Sequence, residues 1–216
     1  MTYLELVNKV LVKLRESKVS SVDETEFSAS VGEFVKQAIS EVEDAWDWHI
    51  LRTTIQITTE SGTFDYVLTG AGTSWDVLQV FEDTEDYELR RAPSYQQMNR
   101  WLLANNVPVQ QPTYWDWNGS DISGDPVVNF YPIPDSVYSI NFNLKIKTQF
   151  DDGDETRIFV PALPIVLRAY ALAVEERGED GGVTPQSVNR QASTALADAI
   201  SYDILMYEAE QVWETV

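Results

Sequence analysis

The chain has no cysteine, and His49 is its only histidine among 216 residues. Without cysteine there are no disulfides, no thiolate zinc sites and no thiol nucleophile. Cationic residues are scarce too: 15 Lys and Arg stand against 35 Asp and Glu, a net charge of −20. Affinity for a phosphate backbone comes from Lys and Arg displacing counterions, so this chain repels DNA; that suits a surface past which DNA slides, and equally a charge that only keeps the protein in solution. No apolar run approaches the ~18 residues that a membrane-spanning helix needs. The N-terminal MTYLELVNKVLVKLRES mixes charged with apolar residues and lacks the basic-then-apolar order of a secretion signal. Synthesis and folding in a cytoplasm are therefore expected.

What the chain does hold is material for a core: 44% apolar residues, 12% of all residues aromatic, with seven Trp. Helix signals cluster at both ends. Thr2 with Glu5 forms a capping box, and Leu4, Val7, Leu11 and Leu14 mark one face. Ser30 with Glu33 offers a second box, with Val31, Phe34, Val35, Ala38, Val42 and Ala45 lining one side to about Trp48 despite Gly32. After Ile50 the period becomes two. TTIQITT and TFDYVL predict a hairpin around Ser61-Gly62, and WDVLQVF with YELRRA predicts another across the acidic EDTED. Ser94 and Gln97 cap a short helix, and the proline-flanked PTYWDWNG and PVVNFYPIP read as edge strands. VYSINFNLKIKTQF is the clearest strand, with Tyr138, Ile140, Phe142, Leu144 and Ile146 on one face. Pro161 and Pro164 open a helix that Gly178 stops, and Thr184-Pro185 starts a last one. Along it Val188, Ala192, Ala195, Ala199, Tyr202, Met206, Ala209 and Trp213 step by four and three, a heptad seam. These signals predict an α+β fold: residues 1–50 and 159–216 as a helical bundle, with 51–158 inserted as an antiparallel β-rich lobe carrying one short helix.

Chemistry is harder to find. GAGTSW at 70–75 lacks the third glycine of a dinucleotide fingerprint and reads as a turn. DDGDET has calcium-friendly oxygens without EF-hand spacing, and with EDTED it reads as a solvated loop tip. A catalytic triad would need His49, and no GxSxG elbow accompanies it. In DAWDWHILR the histidine is better placed to face the carbonyls at a helix C-terminus, with Asp47 solvated or paired to Arg52. Trp46, on the apolar face, Trp48 and His49 form a structural hinge on this reading. Asp203 could be partly buried against an arginine such as Arg168. Trp75, Trp101, Tyr114, Trp115, Trp117 and Tyr131 crowd the lobe; most belong in its core, and such residues also anchor protein contacts. No metal or cofactor is expected.

The order of a short helix, a helix ending in AWDWHILRTTIQI, a β insert, then PALPIVLRAYALAVEERGED and a long helix ending in DILMYEAEQVWETV resembles a phage family. The chain is similar to the head-to-tail adaptors of short-tailed bacteriophages, the tail tubular protein A-like connectors. That resemblance implies a dodecameric ring in the virion, docked on the portal protein, meeting a tail nozzle or tube protein, and passing DNA without specific binding or catalysis. It implies that residues 184–216 face the portal, with the seam from Val188 to Trp213 making subunit or portal contacts. Loops of 53–150 would meet the tail component, with Trp75, Tyr114, Trp115 and Trp117 as contact candidates. With little sequence beyond Trp213, the helix itself is expected to make the portal contact. Other classes that fit the acidic and aromatic composition are a hydrolase or carbohydrate-active tail protein and a generic protein-binding module.

Overall fold

The structure, a computed structural model, describes residues 1–178 and 185–207. The elements run α1 (Tyr3–Lys13), α2 (Glu26–Ala45), β1 (Arg52–Thr58), β2 (Asp65–Val67), β3 (Trp75–Glu82), β4 (Tyr87–Glu88), β5 (Arg90–Arg91), α3 (Tyr95–Leu102), β6 (Tyr114–Ser120), β7 (Pro126–Tyr131), β8 (Ser139–Ile146), α4 (Ala162–Arg177) and α5 (Pro185–Met206). This is the expected α+β fold, with helices toward both chain ends and strands between. Two compact units result: Met1–Leu51 with Thr148–Val216, and Arg52–Lys147. No helix among the described residues is long and apolar enough to cross a membrane.

In the helical unit, α1 starts at the expected box: the Glu5 N–H donates to Thr2 Oγ1 at 3.2 Å and the Thr2 N–H to the Glu5 carboxylate at 3.0 Å. The start of α2 differs from expectation. Thr25, not Ser30, is the N-cap, because Thr25 and Ser28 exchange two bonds of 3.0 Å and the Ser28 hydroxyl also donates to the Val22 carbonyl. Ser30 lies inside the helix, its hydroxyl donating to the Glu26 carbonyl. The segment 148–158, expected with the lobe, groups with the helices. The Tyr3 N–H donates to the Thr156 carbonyl and the Ile158 N–H to the Met1 carbonyl, and the Tyr3 ring meets Phe150 edge-on at 5.3 Å. DDGDET is thus not a free loop tip; Asp154 accepts from the Val22 N–H at 3.1 Å. Gly178 ends α4 in the left-handed conformation, φ 62°, that glycine adopts without a Cβ penalty. The Thr184 cap and the seam residues Ala209 and Trp213 lie outside the described residues.

The β unit has two sheets, ordered β1-β8-β3-β4 and β2-β7-β6-β5, around one core. β8 is central in its sheet; Ile140, Phe142 and Leu144 are buried, and each residue from Ile140 to Lys145 lies opposite β1 on one side and β3 on the other. The β3–β4 hairpin forms as expected. The β1–β2 hairpin does not: β1 pairs with β8 and β2 with β7, so the turn containing Gly62, φ 84°, carries the chain from one sheet to the other. Nor are β6 and β7 edge strands. Their prolines sit at the strand start, Pro126, or past its end, Pro132, where a missing N–H costs no ladder bond. EDTED is not simply solvated either, since buried Glu82 accepts from the N–H groups of Thr84 and Glu85 at 2.9 and 2.6 Å and caps that turn.

Gly32 has a specific reason to be glycine. A Cβ there would lie 2.5 Å from the Tyr3 hydroxyl oxygen and 2.7 Å from Val22 Cγ1, so α1 and the Val22 turn close onto α2 only where a side chain is missing. In an exposed helix Gly→Ala stabilises by about 1 kcal/mol. Here Gly32→Ala is expected to destabilise by ~1–3 kcal/mol, the usual scale of overpacking, measured by urea unfolding.

Candidate functional site

The one histidine is the natural starting point. α2 stops at Ala45 because Trp46 takes an extended conformation, φ −152° and ψ 157°. The chain then turns back so that the fully buried Trp48 donates its indole N–H to the Val42 carbonyl at 2.7 Å, meeting one of the acceptors that a helix end leaves open. His49 begins a short 3-10 turn, His49–Leu51. Its Nδ1 does not face the helix carbonyls; it lies 2.9 Å from Asp203 Oδ2, which also accepts the Trp46 indole N–H at 2.9 Å. The other side of the imidazole is stacked on Tyr207, 4.1 Å between ring centres and 7° from parallel. Asp203 therefore pairs with His49 and Trp46 and not with Arg168. That arginine instead donates to Glu41 and, at 2.7 Å, to Asn189.

Burial by itself would push the Asp203 carboxyl up, but hydrogen bonds from His49 and Trp46 outweigh it and hold the group below its ordinary value. A histidine oriented by a carboxylate is two-thirds of a hydrolytic triad. No hydroxyl nucleophile is bonded to the ring among the described residues, and no group of three or more His, Asp or Glu there is placed to hold a metal. The arrangement is a clasp: it fixes the end of α5 to the end of α2. The described contacts of Trp46, Trp48 and His49 lie within the helical unit. No local pattern signals the pairing, because its partners stand 154 residues apart.

Along α5 the seam is only partly the packed face. Val188 and Ala192 are buried in the chain's own bundle, Ala195 and Ala199 half-buried, yet Tyr202 and Met206 are 65% and 60% exposed. The packed residues Val188, Ala192, Leu196, Ile200 advance by four, a row inclined to the helix axis, whereas a heptad alternates four and three. In the last turn Asp203 is the inward residue, three positions after Ile200, four after the packed Ala199, and one past the seam's Tyr202. Tyr202, Ile204, Leu205 and Met206 remain as an uncovered apolar end, with Leu205 83% exposed.

In the β unit the four aromatic contact candidates divide. Trp115 is buried, edge-on to Phe142 at 5.6 Å, and belongs to the core. Trp75 and Trp117 lie half-buried against each other at 4.1 Å, and Tyr114 packs beside Trp101 of α3, which stacks on Tyr131 at 4.8 Å. The most exposed aliphatic residues of this unit are Leu103, Val109, Ile122 and Val137, which no sequence pattern singles out; Val67, Leu78 and Tyr95 are exposed as well. A groove of about 710 Å³ is lined by Arg91, Tyr95, Asp116 and Trp117 among others. Its lining holds one carboxylate, Asp116, bonded to Arg91 Nε at 3.2 Å, whereas glycoside hydrolysis needs two facing carboxyl groups. GAGTSW does form an anion cradle, filled from within: the Gly70 and Gly72 N–H groups both donate to Asp125, the latter at 2.8 Å.

Residues 1–210 match the family described as SU10 adaptor protein, and the chain belongs to that family. It is accordingly a structural adaptor protein of the bacteriophage virion. No curated protein matches it. Among solved structures it is similar to a chain of the "Neck of empty GTA particle computed with C6 symmetry", at 14% identity over 86% of this chain and 87% of that one, with a TM-score of 0.27.

The clasp makes a pH-dependent contribution with a definite sign. A depressed carboxyl value stabilises the fold above the unfolded aspartate value of about 3.9 and loses that effect as pH falls through the lower folded value. Asp203→Asn is expected to cost ~1–3 kcal/mol at neutral pH, the scale of a broken bond to a charged group, and progressively less below about pH 4. Urea midpoints across that range decide it. Trp48→Ala, which removes the buried indole, is expected to cost ~3–5 kcal/mol.

Proposed function

We propose that this SU10-family adaptor assembles as a dodecameric ring between the portal protein and the next tail component, a nozzle or tube protein, and that DNA leaves through its centre. The family match across residues 1–210 carries the reading. The net charge of −20 supports the channel role, because an acidic wall lets DNA pass without adhering. The adaptor performs no catalysis on this reading; it joins two other parts by surface alone.

Subunit and portal contacts are assigned to the later part of the seam. Val188 and Ala192 are already buried in the chain's own bundle, which leaves Tyr202 and Met206, with Ala209 and Trp213 following in sequence, as the portion available to partners. Contacts to the tail component are assigned to Leu103, Val109, Ile122 and Val137, beside the half-buried Trp75, Tyr114 and Trp117. Trp115, as a core residue, supports these indirectly.

The test is assembly. Mixed with the portal protein of the same phage, the chain is expected to give one discrete complex whose mass exceeds the portal's by a whole ring, read by mass photometry. Tyr202→Asp with Met206→Asp is expected to weaken that complex by about 100-fold, the scale of losing interface anchors, while leaving the monomer folded. A chain that stays monomeric with every neighbouring structural protein would overturn the reading.

A further inference from the structure

The two sheets of the β unit end in β1, β4, β2 and β5, and these four edges are not alike. β4 and β5 are two residues long, β5 being Arg90–Arg91, and β2 is three residues beginning with Asp65. Short strands and charged side chains keep an edge from pairing with other chains. β1 is different. It is seven residues, RTTIQIT, in unbroken register with β8 alone, without proline, lysine or bulge, and charged only at Arg52.

The register shows which backbone groups face outward. The Thr59 N–H donates to the Tyr138 carbonyl at 2.9 Å, one step beyond the Thr58–Ser139 pair. Bonded and non-bonded positions alternate in an antiparallel ladder, so Thr53, Ile55 and Ile57 are the residues that bond to β8. β8 keeps the same phase: the Asp83 N–H donates to the Ser139 carbonyl and the Lys147 N–H to the Ser74 carbonyl, which leaves its even-numbered residues to β1. Thr54, Gln56 and Thr58 therefore turn their N–H and C=O groups to the free edge, where no described residue meets them. All three residues are exposed. Side chains do not screen the row either, since Thr54 donates to Asn143 at 2.7 Å and Gln56 to Asn141 at 3.1 Å, both back toward β8.

A row of unpaired backbone donors and acceptors takes an extended polypeptide. Two β1 edges from two copies can pair only across a two-fold axis, which the rotation of a larger ring does not supply, and every other described edge is too short to cover seven residues. That leaves another protein, and the ring reading above gives the β unit to the next tail component. Charge agrees. β1 and β8 carry no acidic residue in a chain that has 35, and Arg52, Lys145 and Asp76 lie abreast with Arg52 at the edge. We propose that an extended segment of the tail component adds as a further strand beside β1, with apolar side chains next to Ile55 and Ile57 and a carboxylate opposite Arg52. This pairing rests on the ring reading and names how its tail-side contact is made.

Amide exchange resolved by residue supplies the test, on the full chain alone and on rings assembled with portal, with and without the purified nozzle or tube protein of the same phage. In the chain alone the Thr54, Gln56 and Thr58 amides are expected to exchange about tenfold or more faster than those of Ile55 and Ile57, and the tail protein is expected to slow the first three by about the same factor. Gln56→Pro removes one outward N–H and no bond to β8, so it is expected to weaken binding of the tail protein about tenfold and leave the portal complex intact. Thr58→Pro acts in the same way one pair along and serves if Gln56→Pro fails to fold. A tail protein that binds without slowing those amides, or that does not bind portal-borne rings, overturns the pairing and leaves the ring reading standing. Slowing without rings supports the pairing and overturns the ring reading, and absence of both overturns both. Protection that grows with the concentration of the chain alone shows a second copy on the edge and overturns the pairing.

Discussion

The helical unit depends on one constraint: residues 1–51 must be held to residues 148–207 although the whole β unit intervenes in sequence. Closing so long a loop costs conformational entropy, and local helix propensity returns none of it. The closure is made by burying α4 against α1 and α2 in a core of Leu6, Val7, Leu11, Val35, Ile39, Ile165 and their neighbours. Polar clasps then fix the register. Met1 and Tyr3 bond to Ile158 and Thr156, Glu43 accepts from Thr148, and Asp203 gathers Trp46 and His49. Each clasp joins the early segment to the late one.

That arrangement gives a lone histidine beside two tryptophans a structural part in the bundle. Its carboxylate partner comes from the far end of the chain and its second face is covered by Tyr207, so the ring holds two helix ends together. The same economy appears in the β unit, where the cradle at Gly70 and Gly72 is closed by Asp125 and the acidic β3–β4 turn by Glu82. Acidic side chains that look like ligands or catalysts in sequence are, at these places, caps for the chain's own N–H groups.

What could be read in advance was what neighbours in sequence decide. The Thr2–Glu5 box, the Ser94 cap, the Gly178 stop and the alternation of β8 each involve residues a few positions apart, and each was legible. Strand partners were not, because alternation shows which face is buried but not which strand lies alongside; β1 and β2 were read as a hairpin for that reason. The start of α2 was misplaced since Thr25 and Ser28 cap as well as a Ser–Glu pair and stand five residues earlier. For the candidate contact residues, periodicity identified α5 as amphipathic, but the packed row follows the inclination of α5 against its neighbours. Only the structure separates buried Val188 and Ala192 from exposed Tyr202 and Met206.

Among the described residues, all but two buried side-chain polar atoms, Asn129 Oδ1 and Thr156 Oγ1, find a partner, and apolar surface is left uncovered at the end of α5, in the α1–α4 groove, and at loop residues of the β unit. Surfaces of that kind belong to a part that is complete only in an assembly. Cryo-electron microscopy of the intact phage particle addresses the central claim most directly. The account predicts a ring of density at the joint of head and tail into which this α+β chain fits, one copy per asymmetric unit of the ring. A resolved joint built entirely from other proteins, with this chain elsewhere in the particle or missing from it, would contradict the account.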